Sequence, residues 1–543
     1  MSNNTIKSQQ LIAEGKLEKA SRLLEKQCKK KPKNPEVRMS LALLYAQMAL
    51  FDKSEACLKI MLGLKLDTRL SVKGNNTLAF LLVQKKDYSQ AIPLYQTSLN
   101  LNAKQVSIYF NLAGCLKEER RTDEAIDAYL CSLELNPEQY LACREVAQLY
   151  EQVHQLDKSR EYAERAIKLS AGDVESEFLI AKLDARGRQY SLAKQGLQNL
   201  LDKSLAPRHR AVISLELGMI LDKLGEYDDA FEIINDGNNR LEALYKPQQN
   251  ESDVDKYRFE LEQYKGAYNL NGIDTWSDIS QISEPLKLIF LMGFPRSGTT
   301  LTEQVLESHE DVVATHELPA LPRLIRNIDV TIGSKFKYPD DVSTLDKKDI
   351  SLLRSAYIDE MEGLLNNKLD KSKYLLDKLP LNIIYIDFIS RVFPDAKLLV
   401  AIRDPRDVCL SCFMQLFKVN QAMRQFLTIK DTAKFYKTVM SNYLFFKDTA
   451  KLNVLETRYE DIVDDLEESA KRLLDFIGVE WDSRVLNFYE SAKNRVVHTP
   501  SYQGVIQPVY KGSIAKWKNY STKVFPEFNE LDKFIKCFDY EKM

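Results

Sequence analysis

The 543-residue sequence predicts two folds in series: an all-α solenoid of helical hairpins over residues 5–240 and an α/β domain with a parallel sheet over residues 285–535. Residues 241–284 join them as a linker with one connecting helix. Three observations carry this reading. A short phrase returns every 34 to 37 residues through the first half, apolar runs alternate with helical patterns in the second, and a glycine-rich loop, Gly293–Thr300, follows the first of those runs and opens a helical segment.

The returning phrase reads Gly15-Lys16-Leu17-Glu18-Lys19-Ala20, then Lys86-Asp87-Tyr88-Ser89-Gln90-Ala91, Arg121-Thr122-Asp123-Glu124-Ala125 and Gly225-Glu226-Tyr227-Asp228-Asp229-Ala230. Its closing small residue falls at positions 20, 54, 91, 125, 159, 193 and 230, spaced by 34, 37, 34, 34, 34 and 37. A 34-residue period with a small residue where two helices cross resembles the tetratricopeptide repeat, and about seven hairpins are expected. Apolar residues four positions later, Tyr95 and Tyr129, cover the same helix face. The resemblance implies a groove that binds a protein or peptide. An array that only assembles dimers or positions its neighbour fits the periodicity equally well, and the self-association common at solenoid ends allows a homodimer.

Bulk composition excludes several classes. Lys plus Arg total 76 against 78 Asp plus Glu, a net charge of −2, which gives no global attraction to nucleic acid or an acidic membrane. The N-terminus MSNNTIKSQQ has no apolar signal core, and no uncharged run reaches the ~20 residues of a membrane span, so a cytoplasmic location is expected. Eight cysteines in so long a chain do not form a disulfide framework, and Cys409 and Cys412 read as buried helix residues rather than a metal or redox pair. No Cys, His and Asp cluster has metal-ligand spacing, and no metal is expected.

In the second half the apolar runs are Leu286–Met292, Tyr374–Leu376, Lys397–Ile402 and Asn453–Thr457, with helical patterns between them. A parallel sheet of this kind binds ligands at the carboxyl ends of its strands. The loop Gly293-Phe294-Pro295-Arg296-Ser297-Gly298-Thr299-Thr300 lies at one such end. Two glycines let the backbone approach an anion, and a helix N-terminus supplies N–H donors. An ATP-binding loop would carry a lysine where Thr299 stands; here the positive charge is Arg296, whose planar fork suits a tetrahedral oxyanion. After the run ending at Ile402 come Arg403-Asp404-Pro405, with Asp404 as a cap and Pro405 at the first helical position. Ser411 lies about two turns into that helix, on a face that looks back toward Arg403, which makes a second phosphate site.

Together these motifs resemble the sulfotransferases that use 3′-phosphoadenosine-5′-phosphosulfate (PAPS), in particular bacterial tetratricopeptide-repeat sulfotransferases and, among animal enzymes, protein-tyrosine sulfotransferases. The likeness covers about residues 285 to 520. It implies a P-loop-like domain in which Arg296, Ser297, Gly298, Thr299 and Thr300 hold the 5′-phosphosulfate, Arg403 and Ser411 hold the 3′-phosphate, and Tyr459 contacts the nucleotide. It also implies a closing loop with Ser501 near its start and Lys516 as a phosphate ligand, Lys378 at the sulfuryl group, and Glu317 as the catalytic carboxylate, 21 residues beyond Arg296. The adjacent His316 is the rival base, since imidazole titrates near neutrality. Neighbours on an extended segment point to opposite sides, so one of the two is expected to face the reaction. His309 and His498 read as structural.

Gln415 and Pro319 stand where the tyrosine sulfotransferases carry further arginines, so nucleotide binding transfers more directly than acceptor specificity. The function this implies is transfer of a sulfuryl group from PAPS to a hydroxyl or amine, with peptide tyrosine among the acceptors left open. A P-loop nucleotide kinase fused to repeats and a noncatalytic repeat adaptor are the alternatives. The missing loop lysine argues against the first and the set Arg296, Lys378, Arg403 and Ser411 against the second.

Overall fold

The structure is a computed structural model and describes residues 3–245, 252–264, 287–365, 369–450, 452–493 and 511–541. It divides into two compact units, Met1–Gly196 and Leu197–Met543.

In the first unit, helices pair in the order the repeat phrase dictates: Asn3–Ala13 with Leu17–Lys30, Pro35–Gln47 with Phe51–Leu62, Thr68–Gln84 with Tyr88–Leu101, and so on to Tyr190–Leu201, which runs past the unit's end. One backbone device ends the first helix of each pair. Gly15, Ala49, Lys86, Arg120, His154 and Arg188 all have φ between 57° and 70°, and the same position at Gly225 in the second unit has φ 80°. The next N–H then bonds back to a carbonyl five residues earlier, as from Leu50 to Tyr45, Asp87 to Leu82 and Arg121 to Leu116. This is a Schellman-type stop, and it repeats with the 34 and 37 spacing of the sequence phrase.

Each small closing residue sits five positions beyond that stop. Ala20, Ser54, Ala91, Ala125, Ser159, Ala193 and Ala230 are all fully buried. Where the small residue is serine its hydroxyl cannot be left unpaired: Ser54 Oγ donates to Ala42 O at 2.7 Å and Ser159 Oγ to Ala147 O at 2.8 Å. Tyr95 and Tyr129 fill the adjoining core.

The second unit begins before the last hairpin, Pro207–Leu224 with Tyr227–Tyr245. That hairpin continues the repeat phrase but packs within the α/β unit. Phe231 meets Phe413 at 5.3 Å between ring centroids, Tyr227 meets Tyr520 at 5.4 Å, and Asn238 Nδ2 donates to Phe413 O at 2.9 Å. In the joining region the helix Ser252–Gln263 is held by Arg258, which pairs with Asp431 at 2.9 Å, and by Asn442 Nδ2 donating to Leu261 O at 2.7 Å.

The sheet has five strands: β1 Leu288–Gly293, β2 Val312–Ala314, β3 Tyr374–Lys378, β4 Lys397–Ile402 and β5 Val454–Arg458. All neighbours are parallel, in the order β2-β3-β1-β4-β5. β1 is buried throughout, as a central strand covered on both faces should be. The chain leaves β1 for the β2 edge, returns to β3, and crosses to β4 on the other side of β1. This reversal of direction opens a crevice at the carboxyl end of β1. The four apolar runs read from the sequence are β1, β3, β4 and β5; the three-residue edge strand β2 has too few residues to show a pattern.

Overpacking the repeat seam gives a direct test. Ala125→Leu should destabilise the array by about 1–3 kcal/mol, whereas Arg120→Gly, which relieves an exposed residue of its left-handed backbone, should raise its melting temperature. Thermal unfolding followed by circular dichroism reads both signs.

Candidate active site

β1 ends in Gly293 at φ 154°, where an added Cβ would come within 2.6 Å of Ala401 O on β4. Only glycine permits that approach. Phe294 then anchors the loop, fully buried among Phe426, Phe435 and Tyr436 with ring centroids 4.9 to 5.7 Å away. Arg296 adopts φ 70° and Gly298 φ 99°, and a Cβ on Gly298 would meet the Tyr459 ring at 2.9 Å. The helix Thr299–Glu307 follows, and its first N–H groups have no intrahelical acceptor. Ser297, Thr299 and Thr300 are buried around this turn. The result is a concave backbone cradle with hydroxyls and one guanidinium, suited to a tetrahedral anion. A non-glycine residue held at positive φ stores about 1–2 kcal/mol, and here it is the cationic residue of the loop.

β4 delivers Arg403 to the other side of the cradle. Its Nη1 donates to Arg296 O at 3.1 Å and Nη2 to Ser513 O at 2.6 Å, its guanidinium lies 4.8 Å over the Tyr459 ring, and its buried Nε has no partner among the described residues. Asp404 caps the helix Pro405–Met414 and also forks onto Arg406. Asp407 lies 4.0 Å from Arg403 and accepts from the Trp517 N–H at 2.8 Å. Burial pushes its carboxyl up to about 6 even though Arg403 opposes the shift. Ser411 faces the loop and accepts from Arg296 Nε at 2.9 Å. The sequence points Ser411 at Arg403; the helix turns it onto Arg296 instead, so Arg296, Arg403 and Ser411 form one cluster.

On the opposite flank, β3 carries Lys378 into the same crevice, completely buried. Its ammonium is 2.8 Å from Glu317 Oε1 and 3.2 Å from Glu303 Oε2. Glu317, 37% exposed, opens to solvent while Glu303, 1% exposed, does not. His316 is not on an extended segment: it has φ 52°, and its Nδ1 lies 3.3 Å from Glu303 and its Nε2 3.7 Å from Glu307. The hydrogen bond and the charge of Glu303 raise the His316 imidazole, against the opposing effect of burial. One residue before Lys378, Asp377 is enclosed beneath the site, accepting from Tyr357 Oη at 2.6 Å, and burial pushes it up to about 7.

A cleft of about 690 Å³ opens over these groups. Arg296, Thr299, Thr300 and Glu317 line it together with the apolar Leu379, Tyr385, Phe417 and Met423. Lys516 takes a different course: its ammonium pairs at 2.6 Å with Asp222 on the last repeat hairpin, where Tyr520 Oη also donates to Asp222. Ser501 and His498 lie outside the described residues. His309 is structural, accepting at Nδ1 from the Asp311 N–H and donating from Nε2 to Glu480 O. Cys409 and Cys412 are buried, and Cys412 Sγ donates to Pro295 O. Sequence reasoning misses Glu303, Asp407 and Asp222. Glu303 had a signal, since it lies three and four residues after Thr300 and Thr299 and therefore on their helix face.

Fold and site define a P-loop-like α/β domain with an anion cradle at the switch point of its sheet. Residues 288–483 match the sulfotransferase family, and residues 77–140 match the tetratricopeptide repeat. The chain thus carries N-terminal tetratricopeptide repeats and a sulfotransferase-family domain distantly related to protein-tyrosine sulfotransferases. An uncharacterized protein of Aquifex aeolicus is 26% identical over 79% of this chain and 55% of its own length. Protein-tyrosine sulfotransferase 2 of Gallus gallus is 27% identical over 43% of this chain and 64% of its own. A crystal structure of MamA, 22% identical, covers 31% of this chain and 95% of its own with a TM-score of 0.29. The chain therefore spans between half and two thirds of these two sequence relatives. No helix among the described residues is long and apolar enough to cross a membrane.

The buried Asp377 makes stability pH-dependent. A carboxyl whose folded value lies above its unfolded one binds extra proton in the native state, so stability falls as pH rises from about 4 to about 7. Asp377→Asn should flatten that slope while keeping the Tyr357 bond, because the buried Asn382 Oδ1 has no partner and can accept from the new amide after a flip. Denaturant unfolding at pH 5 and pH 8 checks it.

Proposed function

We propose that this chain is a PAPS-dependent sulfotransferase acting on a hydroxyl or amine acceptor, its repeats recruiting a protein or peptide that is either the acceptor or a partner. One observation carries the reading: three neighbouring strand ends bring Arg296, Lys378 and Arg403 around a glycine cradle, with a carboxylate, Glu317, beside Lys378 at the mouth of a cleft.

The residues present fit the nucleotide. A side chain at Gly293 would strike Ala401 O and one at Gly298 the Tyr459 ring, so the loop's close backbone course needs both glycines, and among the described residues the buried Nε of Arg403 is an unused donor. Arg296, Ser297, Gly298, Thr299 and Thr300 would hold the 5′-phosphosulfate, Arg403 with Ser411 the 3′-phosphate, and Tyr459, already beneath the Arg403 guanidinium, the nucleotide. When bound, the nucleotide supplies the sulfuryl group. Lys378 and Arg296 stabilise the negative charge that builds at the phosphate end, as cations do in phosphoryl transfer. Glu317 accepts the proton that the acceptor must lose. His316 is less suited to that role, because its ring nitrogens are turned toward Glu303 and Glu307 and not toward the cleft lining. Leu379, Tyr385, Phe417 and Met423 offer the acceptor an apolar surface beside Glu317. Lys516 is engaged by Asp222, so a phosphate role for it requires that pair to open.

Calorimetry with adenosine 3′,5′-bisphosphate in metal-free buffer should give binding that Arg403→Ala abolishes. Preference for ATP with magnesium would overturn the assignment. Glu317→Gln should retain bisphosphate affinity and lower PAPS turnover by about 10²–10⁴-fold, measured as release of the bisphosphate.

A further inference from the structure

Among the groups around Lys378, the carboxylate of Glu303 stands out because it is buried on the helix that follows the loop. Its neighbours along the helix, Val305 and Leu306, enter an apolar cluster, yet Glu303 is as buried as they are. A buried carboxylate is expensive unless opposite charge lies against it; Glu303 Oε1 meets His316 Nδ1 at 3.3 Å, and Oε2 lies 3.2 Å from Lys378 Nζ without receiving its hydrogen bond, which goes to Glu317.

The two carboxylates on Lys378 are not equivalent. Glu317 is the one open to the cleft, and a base must give up part of its charge when it takes a proton. At that moment Lys378, fully buried, would be left without a counter-charge if Glu317 were its sole partner. Glu303 is closed to solvent and does not line the cleft, so an acceptor there meets Glu317 and not Glu303. The groups facing His316 are Glu303 and Glu307 from the helix and Lys378 from β3. The hydrogen bond and charge of Glu303 with the charge of Glu307 raise the half-exposed imidazole against burial and the Lys378 ammonium, and both ring nitrogens are turned toward those carboxylates.

We propose that Glu303 is a positioning residue for sulfuryl transfer: it keeps counter-charge beside Lys378 while Glu317 takes the acceptor's proton, and it holds the His316 ring turned onto the helix so that a single base serves the site. The proposal rests on the sulfotransferase reading. It acts through Lys378 and His316, with no contact to the reacting atoms.

The test compares wild type, Glu303→Gln and Glu303→Asp by bisphosphate calorimetry, PAPS turnover with water as acceptor, and NMR titration of the histidine rings, of which the chain has five. Glu303→Gln should leave bisphosphate affinity within about threefold, lower turnover by about 10²-fold as expected for a misplaced catalytic group, and move the His316 titration down toward that of free imidazole. Glu303→Asp should restore part of both. A His316 that titrates at or below its ordinary value in wild type would overturn the proposal without any variant, and so would a folded Glu303→Gln with unchanged turnover and unchanged His316 titration. Failure of wild type to bind the bisphosphate would overturn the sulfotransferase reading, a separate outcome.

Discussion

A lysine with no exposed surface sits at the end of β3, and the arrangement around it follows from the need to keep that ammonium charged. Removing such an ion from water costs several kcal/mol unless opposite charge is placed against it. The helix after the glycine loop supplies Glu303 and the turn after β2 supplies Glu317, so two elements distant in sequence are tied to one cation. The loop, the first helix and the two strand ends thus share an electrostatic centre, and displacing any one of them exposes a buried charge.

The sheet order explains why these groups meet. With β1 in the middle and the chain reversing direction around it, the carboxyl ends of β3 and β4 flank the glycine loop. Lys378 arrives from one side and Arg403 from the other, while β5 adds Tyr459. The register places Gly293 opposite Ala401, and the close backbone approach there fixes the height of the loop above the sheet. Aromatic packing of Phe294 then pins the loop from below.

Much of this was legible in the residues. The repeat was readable because its two backbone requirements, a left-handed stop and a small crossing residue, recur at fixed spacing and leave a chemical trace at each turn. The loop and the Arg403 segment were readable because their residue types serve one purpose. What could not be read was partnership. Ser411 was assigned to Arg403 and turned out to meet Arg296, Lys516 is committed to Asp222, and the alternation argument for His316 and Glu317 assumed an extended chain that φ 52° at His316 breaks. Asp407 is hidden because an aspartate in a helix reads as solvent-facing unless its tertiary partner is known, whereas Glu303 shows only that it shares a helix face with Thr299 and Thr300.

The last repeat hairpin obeys the repeat phrase in sequence and the α/β domain in packing. Its Asp222, Phe231 and Asn238 are bonded to or packed on Tyr520, Lys516 and Phe413, so the surface it covers is a core surface of the domain. For exchange between proteins, whether by recombination or by design, the natural junction therefore lies between the helix ending at Leu201 and the hairpin that starts at Pro207, and not at the linker before β1. A domain cut at the linker would carry away its sheet and its loop but leave behind one wall of its own interior.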